Sequence, residues 1–125
     1  MNDPSLTVHE RAARPWIDRF ARSPRCPAVH RHHAGSSLLL VASFVSMHEE
    51  HDSRGLPWHR LSPDGLAEAM LSCDASARGR VFLRDVLDVT SAFYGFLAEA
   101  GLLRRTEALG IQRRLVELAL AFAHS

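Results

Sequence analysis

The segment Leu83–Leu103, LRDVLDVTSAFYGFLAEAGLL, constrains the fold more than any other part of the chain. Its apolar residues recur at the i, i+3, i+4, i+7 spacing of a helix with one buried face. They are Leu83, Val86, Leu87, Thr90 through its methyl group, Phe93, Tyr94 and Leu97. Gly101 follows the last periodic turn, where glycine readily adopts the left-handed conformation that ends a helix, and Leu102 takes the position of the accompanying hydrophobic contact. The pattern predicts a long helix with one buried face, around which the rest of the chain is organised.

Four further segments are predicted to be helical. Arg14–Phe20 is expected to start at Pro15, because proline suits the first helical position, and residues 1–13 are expected to be flexible. An apolar run capped by Ser36 or Ser37 predicts a central helix over residues 37–51. Ser62, Pro63 and Asp64 form a strong start signal, and a last helix is expected after Thr106. No helix should cross Pro24 and Pro27, and residues 74–80 should interrupt the chain before the long helix.

These elements predict a single all-α domain over residues 1–125, a compact bundle of four to five helices. No segment alternates as a β-strand does, and no repeat is visible. The 125 residues, 46% of them hydrophobic, are sufficient for one core. Inward positions are expected to include Leu66, Ala69, Met70 and Cys73 in the third helix. A stripe in the last helix comprises Ile111, Leu115, Leu118 and Phe122.

The amino-acid composition indicates the cellular compartment of the protein more clearly than it indicates an activity. The net charge is +1, and all basic side chains other than histidine are arginine, as is common in proteins of high-GC bacterial genomes. The longest apolar run, residues 38–47, is too short to span a membrane, and the N-terminus lacks the apolar core of a signal peptide. Two cysteines, Cys26 and Cys73, do not form a disulfide framework. We therefore expect a cytoplasmic protein without membrane association.

Two stretches resemble a known kind of protein. WHRLSPDGLAEAML and DVTSAFYGFLAEAGLL, within residues 58–103, are similar to a helical module of bacterial proteins of the plasmid pRiA4b ORF-3 type. In those proteins a tryptophan, a proline-capped helix and a helix containing an aFxxFL pattern recur in this order. The resemblance implies an accessory helical module and supplies no catalytic residues. A weaker similarity, to the last helix of tyrosine-recombinase core-binding domains, would imply DNA contact.

Histidines supply candidate metal ligands. His48 and His51 are three residues apart on one predicted helix face, and His30 and His33 lie in the preceding loop. Zinc needs about four nitrogen, sulfur or oxygen donors from converging segments, so this set predicts a zinc site if the segments meet. The alternative is a solvated helix end where histidine complements the helix dipole. The i, i+3 spacing is not the HExxH pattern of zinc proteases.

Enzyme motifs are absent or interrupted. Two Arg-x4-His matches fit the spacing of HEPN-type ribonucleases, but Pro27 and Pro57 lie within them and prevent helical presentation. Cys26 follows Arg25, which would favour its thiolate, yet no base and orienting residue accompany it. Phosphate-binding, dinucleotide-binding and serine-elbow motifs are missing. The sequence favours a protein that is not an enzyme and has no cofactor other than the candidate zinc.

Two classes of binding protein remain. The first uses a partner protein or a homodimer, because residues 38–45 are apolar nearly all round their predicted helix and need cover on every side. The second binds nucleic acid, because arginine pairs with phosphate. Its candidate residues are Arg19, Arg22 and Arg25 near the N-terminus and Arg113 and Arg114 in the last helix. We take protein interaction, as a small subunit of a larger assembly, as the main hypothesis and nucleic-acid binding as the alternative.

Overall fold

The computed structural model of the protein describes residues 8–47 and 56–123. Within these ranges the chain forms five α-helices, two short 3₁₀ turns and no strand, which confirms the all-α bundle. The helices are α1 (Val8–Ala21), α2 (Ala34–Ser46), α3 (Pro63–Cys73), α4 (Ala77–Glu99) and α5 (Arg105–Ala123). Ala28–His30 and Trp58–Arg60 are the 3₁₀ turns. None of the helices in these ranges combines the length and hydrophobicity that a membrane span requires.

Helix α4 lies at the centre of the core with its predicted apolar face inward, whereas the apolar run of residues 37–51 predicts the central helix at α2. The apolar stripe of the Leu83–Leu97 segment is buried, and α4 packs on α1, α2, α3 and α5. Phe93 makes edge-on ring contacts with Phe20 of α1 and with Trp58, at centroid distances of 5.3 and 5.2 Å. The buried Tyr94 hydroxyl donates to the Trp58 carbonyl over 2.6 Å, so one helix face holds both α1 and the second 3₁₀ turn.

Residues next to each end of α4 explain where the helix begins and ends. At the C-terminus Gly101 has φ of 84°, and the N–H groups of Gly101 and Leu102 donate to the carbonyls of Ala98 and Leu97, which is a Schellman end. At the N-terminus the Ser76 hydroxyl accepts from the N–H of Gly79 over 3.2 Å. The helix therefore begins at Ala77, and the predicted interruption over residues 74–80 shortens to three residues.

Helix α1 is longer than predicted. It begins at Val8, and Pro15 lies inside it rather than at its first position. A proline in a helix interior removes one hydrogen bond and costs about 3 kcal/mol. Ala13, Ile17 and Phe20 are fully buried, and α1 packs on α2, so burial of this face compensates for the proline.

Helix α2 starts earlier than the expected cap at Ser36 or Ser37. Its first helical residue is Ala34, and His33 takes the cap position without a side-chain cap. Ser37 is instead buried one turn inside, where its hydroxyl meets His33. Leu38 and Val45 are buried with the same face, and residues 48–51 of the predicted helix lie outside the described part of the chain.

Helices α3 and α5 are positioned mainly as predicted. Ser62 accepts from the Gly65 N–H over 3.1 Å, which confirms the cap of α3, and Leu66 is buried. Cys73 and Ala69 are exposed, so their predicted core placement is wrong: they lie on the edge of α3 that no described helix covers. Helix α5 begins at Arg105, ahead of the expected cap at Thr106. Its predicted stripe is correct, with Leu115 buried and Ile111, Leu118 and Phe122 packed against the core.

Candidate functional site

An open apolar groove of about 640 Å³ runs between α2, α3 and the start of α4. We call it the α2–α3–α4 groove. Three side chains of α2, together with Met47 just after its last residue, form one wall, and α3 and α4 form the other. The lining residues are Leu40, Ser43, Phe44, Met47, Leu66, Ala69, Met70, Cys73, Asp74, Arg78, Gly79 and Phe82.

The wall from α2 is the part of the apolar run that does not face the core. Leu38, Val41 and Val45 face the core and are fully or almost fully buried. Leu40 and Phe44 are only partly buried and face the groove, and Met47 is 78% exposed. Within the described ranges, α2 is therefore covered fully on its core face and only in part on its groove face.

The opposite wall ends in a charged rim at the corner between α3 and α4. Asp74 accepts a hydrogen bond from the backbone N–H of Ser76 over 3.0 Å, and hydrogen bonding with Ser76 lowers the pKa of this carboxyl group. Arg78 is exposed, and it has no ion-pair partner within the described ranges. Arg78 also lies in the first turn of α4, where the helix dipole makes a cation unfavourable, so an acidic group of a ligand would stabilise it.

Sequence reasoning missed the groove. The available signal was Phe82, an apolar residue next to the buried Leu83 but off the core stripe of α4. Cys73 is the exposed thiol of the two free cysteines, while Cys26 is buried and its thiol lies 3.7 Å from the Pro27 carbonyl oxygen. A thiol reagent can therefore reach Cys73 at the edge of the groove.

A hydrogen-bonded chain of histidines lies at the first 3₁₀ turn. Asp88 Oδ2 is 2.9 Å from His30 Nε2, and His30 Nδ1 is 2.9 Å from His33 Nε2. His33 Nδ1 is in turn 2.8 Å from the Ser37 hydroxyl. Ser37 is fully buried, so its hydroxyl is not accessible to a substrate. The chain joins the turn, α2 and α4, and we assign it a structural role.

The predicted metal ligands are not assembled in the described ranges. His30 and His33 are adjacent, but no group of three or more metal-ligating side chains occurs among the residues that the structure describes. His48 and His51 lie outside those residues. Zinc binding by the full set stays a prediction.

Two of the five arginines predicted to bind nucleic acid are paired with carboxylates. Arg25 forms an ion pair with Glu99. Arg114 contacts Asp64 through two nitrogens, at 2.8 and 2.5 Å, and this pairing lowers the pKa of the Asp64 carboxyl group. Such pairs offset part of the positive charge that a phosphate would meet.

The other three arginines have different surroundings. The Arg19 guanidinium lies 4.9 Å from the centroid of the half-buried Trp16 ring. Arg22 and Arg113 are exposed, the first just after α1 and the second on α5. Nucleic-acid binding by these residues stays a prediction.

Comparison of the chain with protein-family models, curated proteins and solved structures found no match, so the resemblance of residues 58–103 also stays a prediction.

Proposed function

We propose that this protein is a non-enzymatic interaction module that binds an amphipathic helix of a partner protein in the α2–α3–α4 groove. The observation that supports this function is the groove itself, which is open, about 640 Å³ in volume and lined mainly by apolar side chains. An apolar groove of this volume is typical of a binding site. The free thiols Cys26 and Cys73 suit a reducing compartment, and we place the module in the cytoplasm.

A helix fits the shape of the wall that α2 provides. Leu40, Phe44 and Met47 follow one another at i, i+4 and i+7, so they extend over roughly 10 Å of helix. A partner helix with apolar residues at the same spacing presents about two turns of matching length. The groove therefore suits the apolar side chains of a short helical segment.

The chemistry of the lining suggests the character of that helix. Met47 and Met70 are flexible and polarisable, and methionine-rich surfaces adapt to different apolar side chains. Arg78, unpaired at the rim within the described chain, favours an acidic residue on the flank of the bound helix. We expect a partner with a leucine-rich face and neighbouring glutamates or aspartates.

The rate at which Cys73 reacts with a disulfide reagent such as DTNB measures occupation of the groove. The probe is a synthetic amphipathic peptide with leucines at helical spacing and glutamates on both flanks. Its control is a peptide of the same composition in an order that destroys the helical period. We expect the first peptide to slow the reaction of Cys73 in a saturable manner and the second to leave it unchanged.

Two matched variants locate the binding. Phe82→Glu places a charge in the groove, whereas Val81→Glu makes the same change at an exposed neighbour outside it. Protection should be lost in the first variant and kept in the second. Equal protection by the scrambled peptide, or full protection in Phe82→Glu, would contradict the proposal. Protection by dodecanoate but by neither peptide would assign the groove to a small amphiphile instead.

A further inference from the structure

A second apolar surface, separate from the groove, lies on the outer side of α5. Leu109, Val116 and Leu120 are each between 44% and 57% exposed. Together with Arg113 they are spaced by four, three and four residues, which is the heptad seam of a helix that packs on another helix. They lie on the opposite side of α5 from the core stripe of Leu115. We call this surface the α5 seam.

The α5 seam contains a preformed socket. Leu109, Gln112, Arg113 and Val116 border a surface depression, and their i, i+3, i+4, i+7 spacing is that of a hole in knobs-into-holes packing. Gln112 is held in place because its side-chain amide donates to the Ser91 carbonyl of α4 over 2.8 Å. The seam thus offers both protruding apolar residues and a hole of the kind that accepts them.

We propose that a second copy of this chain covers the α5 seam, with the two α5 helices antiparallel about a two-fold axis. Two-fold symmetry brings the same surface of both copies together, so the seam must complement itself. In the register that places Leu109 opposite Leu120 of the second copy, Val116 of the second copy lies opposite Arg113, at the socket. Each apolar residue of the seam then meets an apolar residue or the hole.

The same register sets the charges on the seam, since the two Arg113 side chains lie near the axis and each is within reach of Glu117 of the other copy. Arg113 lies opposite Val116 of the second copy. Along the helix axis it is therefore one residue away from Glu117 of that copy. Arg113 has no ion-pair partner within the described part of the chain, and Glu117 contacts Arg114 through only its Oε2 atom. Symmetry generates this pairing twice. A polar residue within a heptad seam also specifies register at a cost in affinity.

The size of the seam sets the expected strength of the dimer. A helix of 19 residues is roughly 28 Å long. One face of such a helix provides less than the about 800 Å² per partner of a standard interface. We therefore expect a reversible dimer whose population rises with protein concentration over the micromolar range.

Sedimentation of the full chain over a concentration series tests the dimer. Val116→Asp introduces a charge at the socket and should keep the protein monomeric. Val29→Asp makes the same change at an exposed valine of the first 3₁₀ turn and should leave the dimer intact. Circular dichroism should show unchanged helicity in both variants, because both side chains are exposed. A monomer at all concentrations, or a dimer that persists in Val116→Asp, would overturn the proposal.

A charge exchange tests the predicted contact between Arg113 and Glu117. Arg113→Glu and Glu117→Arg should each weaken the dimer, because like charges then face each other across the axis. The double variant restores opposite charges and should recover the wild-type dissociation constant within a few-fold. Failure of the double variant to recover would rule out this register.

Cross-linking in a Cys73→Ser background tests the antiparallel arrangement. A Val116→Cys chain should cross-link to itself with a short bismaleimide, because both copies of this residue lie near the axis. A Leu109→Cys chain alone should not, since its two copies would be roughly 16 Å apart along the helices. Mixed with a Leu120→Cys chain, it should. Self-cross-linking of Leu109→Cys would indicate parallel helices and contradict the proposal.

Discussion

At the scale of single residues, His33 shows how a polar side chain is held in this bundle. Its ring packs edge-on against those of His30 and His32, each at a centroid distance of 4.9 Å, while both of its nitrogens are hydrogen-bonded. Burial lowers the pKa of His33, and the charges of His30 and His32 lower it further, while Asp85 acts in the opposite direction. The folded protein therefore favours the neutral imidazole.

This lowered pKa predicts acid sensitivity. The unfolded chain binds a proton to His33 near pH 6.5, whereas the folded protein binds it only at lower pH. The contribution of His33 to stability is therefore complete above pH 6.5 and is lost as the pH falls from 6.5 through the lowered folded pKa. Urea unfolding at pH 7.5, 6.5 and 5.5 should show a falling midpoint. His33→Gln should flatten this dependence, and an unchanged slope in that variant would refute the assignment.

At the scale of elements, two exposed glycines provide a matched comparison. Gly101 ends α4 with φ of 84°, which an L-residue adopts at a cost of roughly 1 kcal/mol or more. Gly110 lies within α5 and has no atom near the position of an added Cβ. Gly101→Ala should therefore lower the free energy of unfolding by about 1 kcal/mol, and Gly110→Ala should raise it by up to about 1 kcal/mol. Changes of the same sign in thermal or urea unfolding would contradict this account.

Local sequence signals predicted a helix end correctly where the backbone conformation or a capping hydrogen bond at that end requires a particular residue type. Gly101 and Ser62 end and begin their helices as expected, because positive φ and an N-cap hydroxyl act within a few residues. The predicted start of α1 was wrong because Pro15 is tolerated inside a helix whose buried face packs on α2. Such packing lies between segments that are distant in sequence, so local propensity does not report it.

At the scale of the whole molecule, the corner between α3 and α4 shapes the groove. A Cβ atom on Gly79 would lie 2.2 Å from the Asp74 carbonyl oxygen and 2.6 Å from the Asp74 carboxyl carbon. Only glycine permits this close approach. Both residues line the α2–α3–α4 groove, so this close contact lies at the end of the groove where the chain passes from α3 to α4.

Gly79→Ala tests this corner. The alanine methyl group must displace backbone, so we expect a loss of about 1–3 kcal/mol in the free energy of unfolding. The displaced corner should also weaken protection of Cys73 by the amphipathic peptide. Gly35→Ala in α2 is the control, since nothing lies within 4 Å of its added Cβ, and it should lower neither the stability nor the protection of Cys73. Wild-type stability in Gly79→Ala would show that the corner relaxes without cost.

The sequence by itself determined the all-α class, the buried face of α4, the start of α3 and the C-terminal end of α4, because apolar periodicity, N-caps and glycine act locally. Only the tertiary structure decided which apolar residues stay uncovered. Leu40 and Leu38 look equivalent in the sequence, yet one lines a groove and the other is buried. Likewise, Arg25 and Arg22 look alike until Glu99, distant along the chain, pairs with the first. These pairs of residues differ because the exposure of a side chain depends on which helices pack against it. That packing exists only in the assembled bundle.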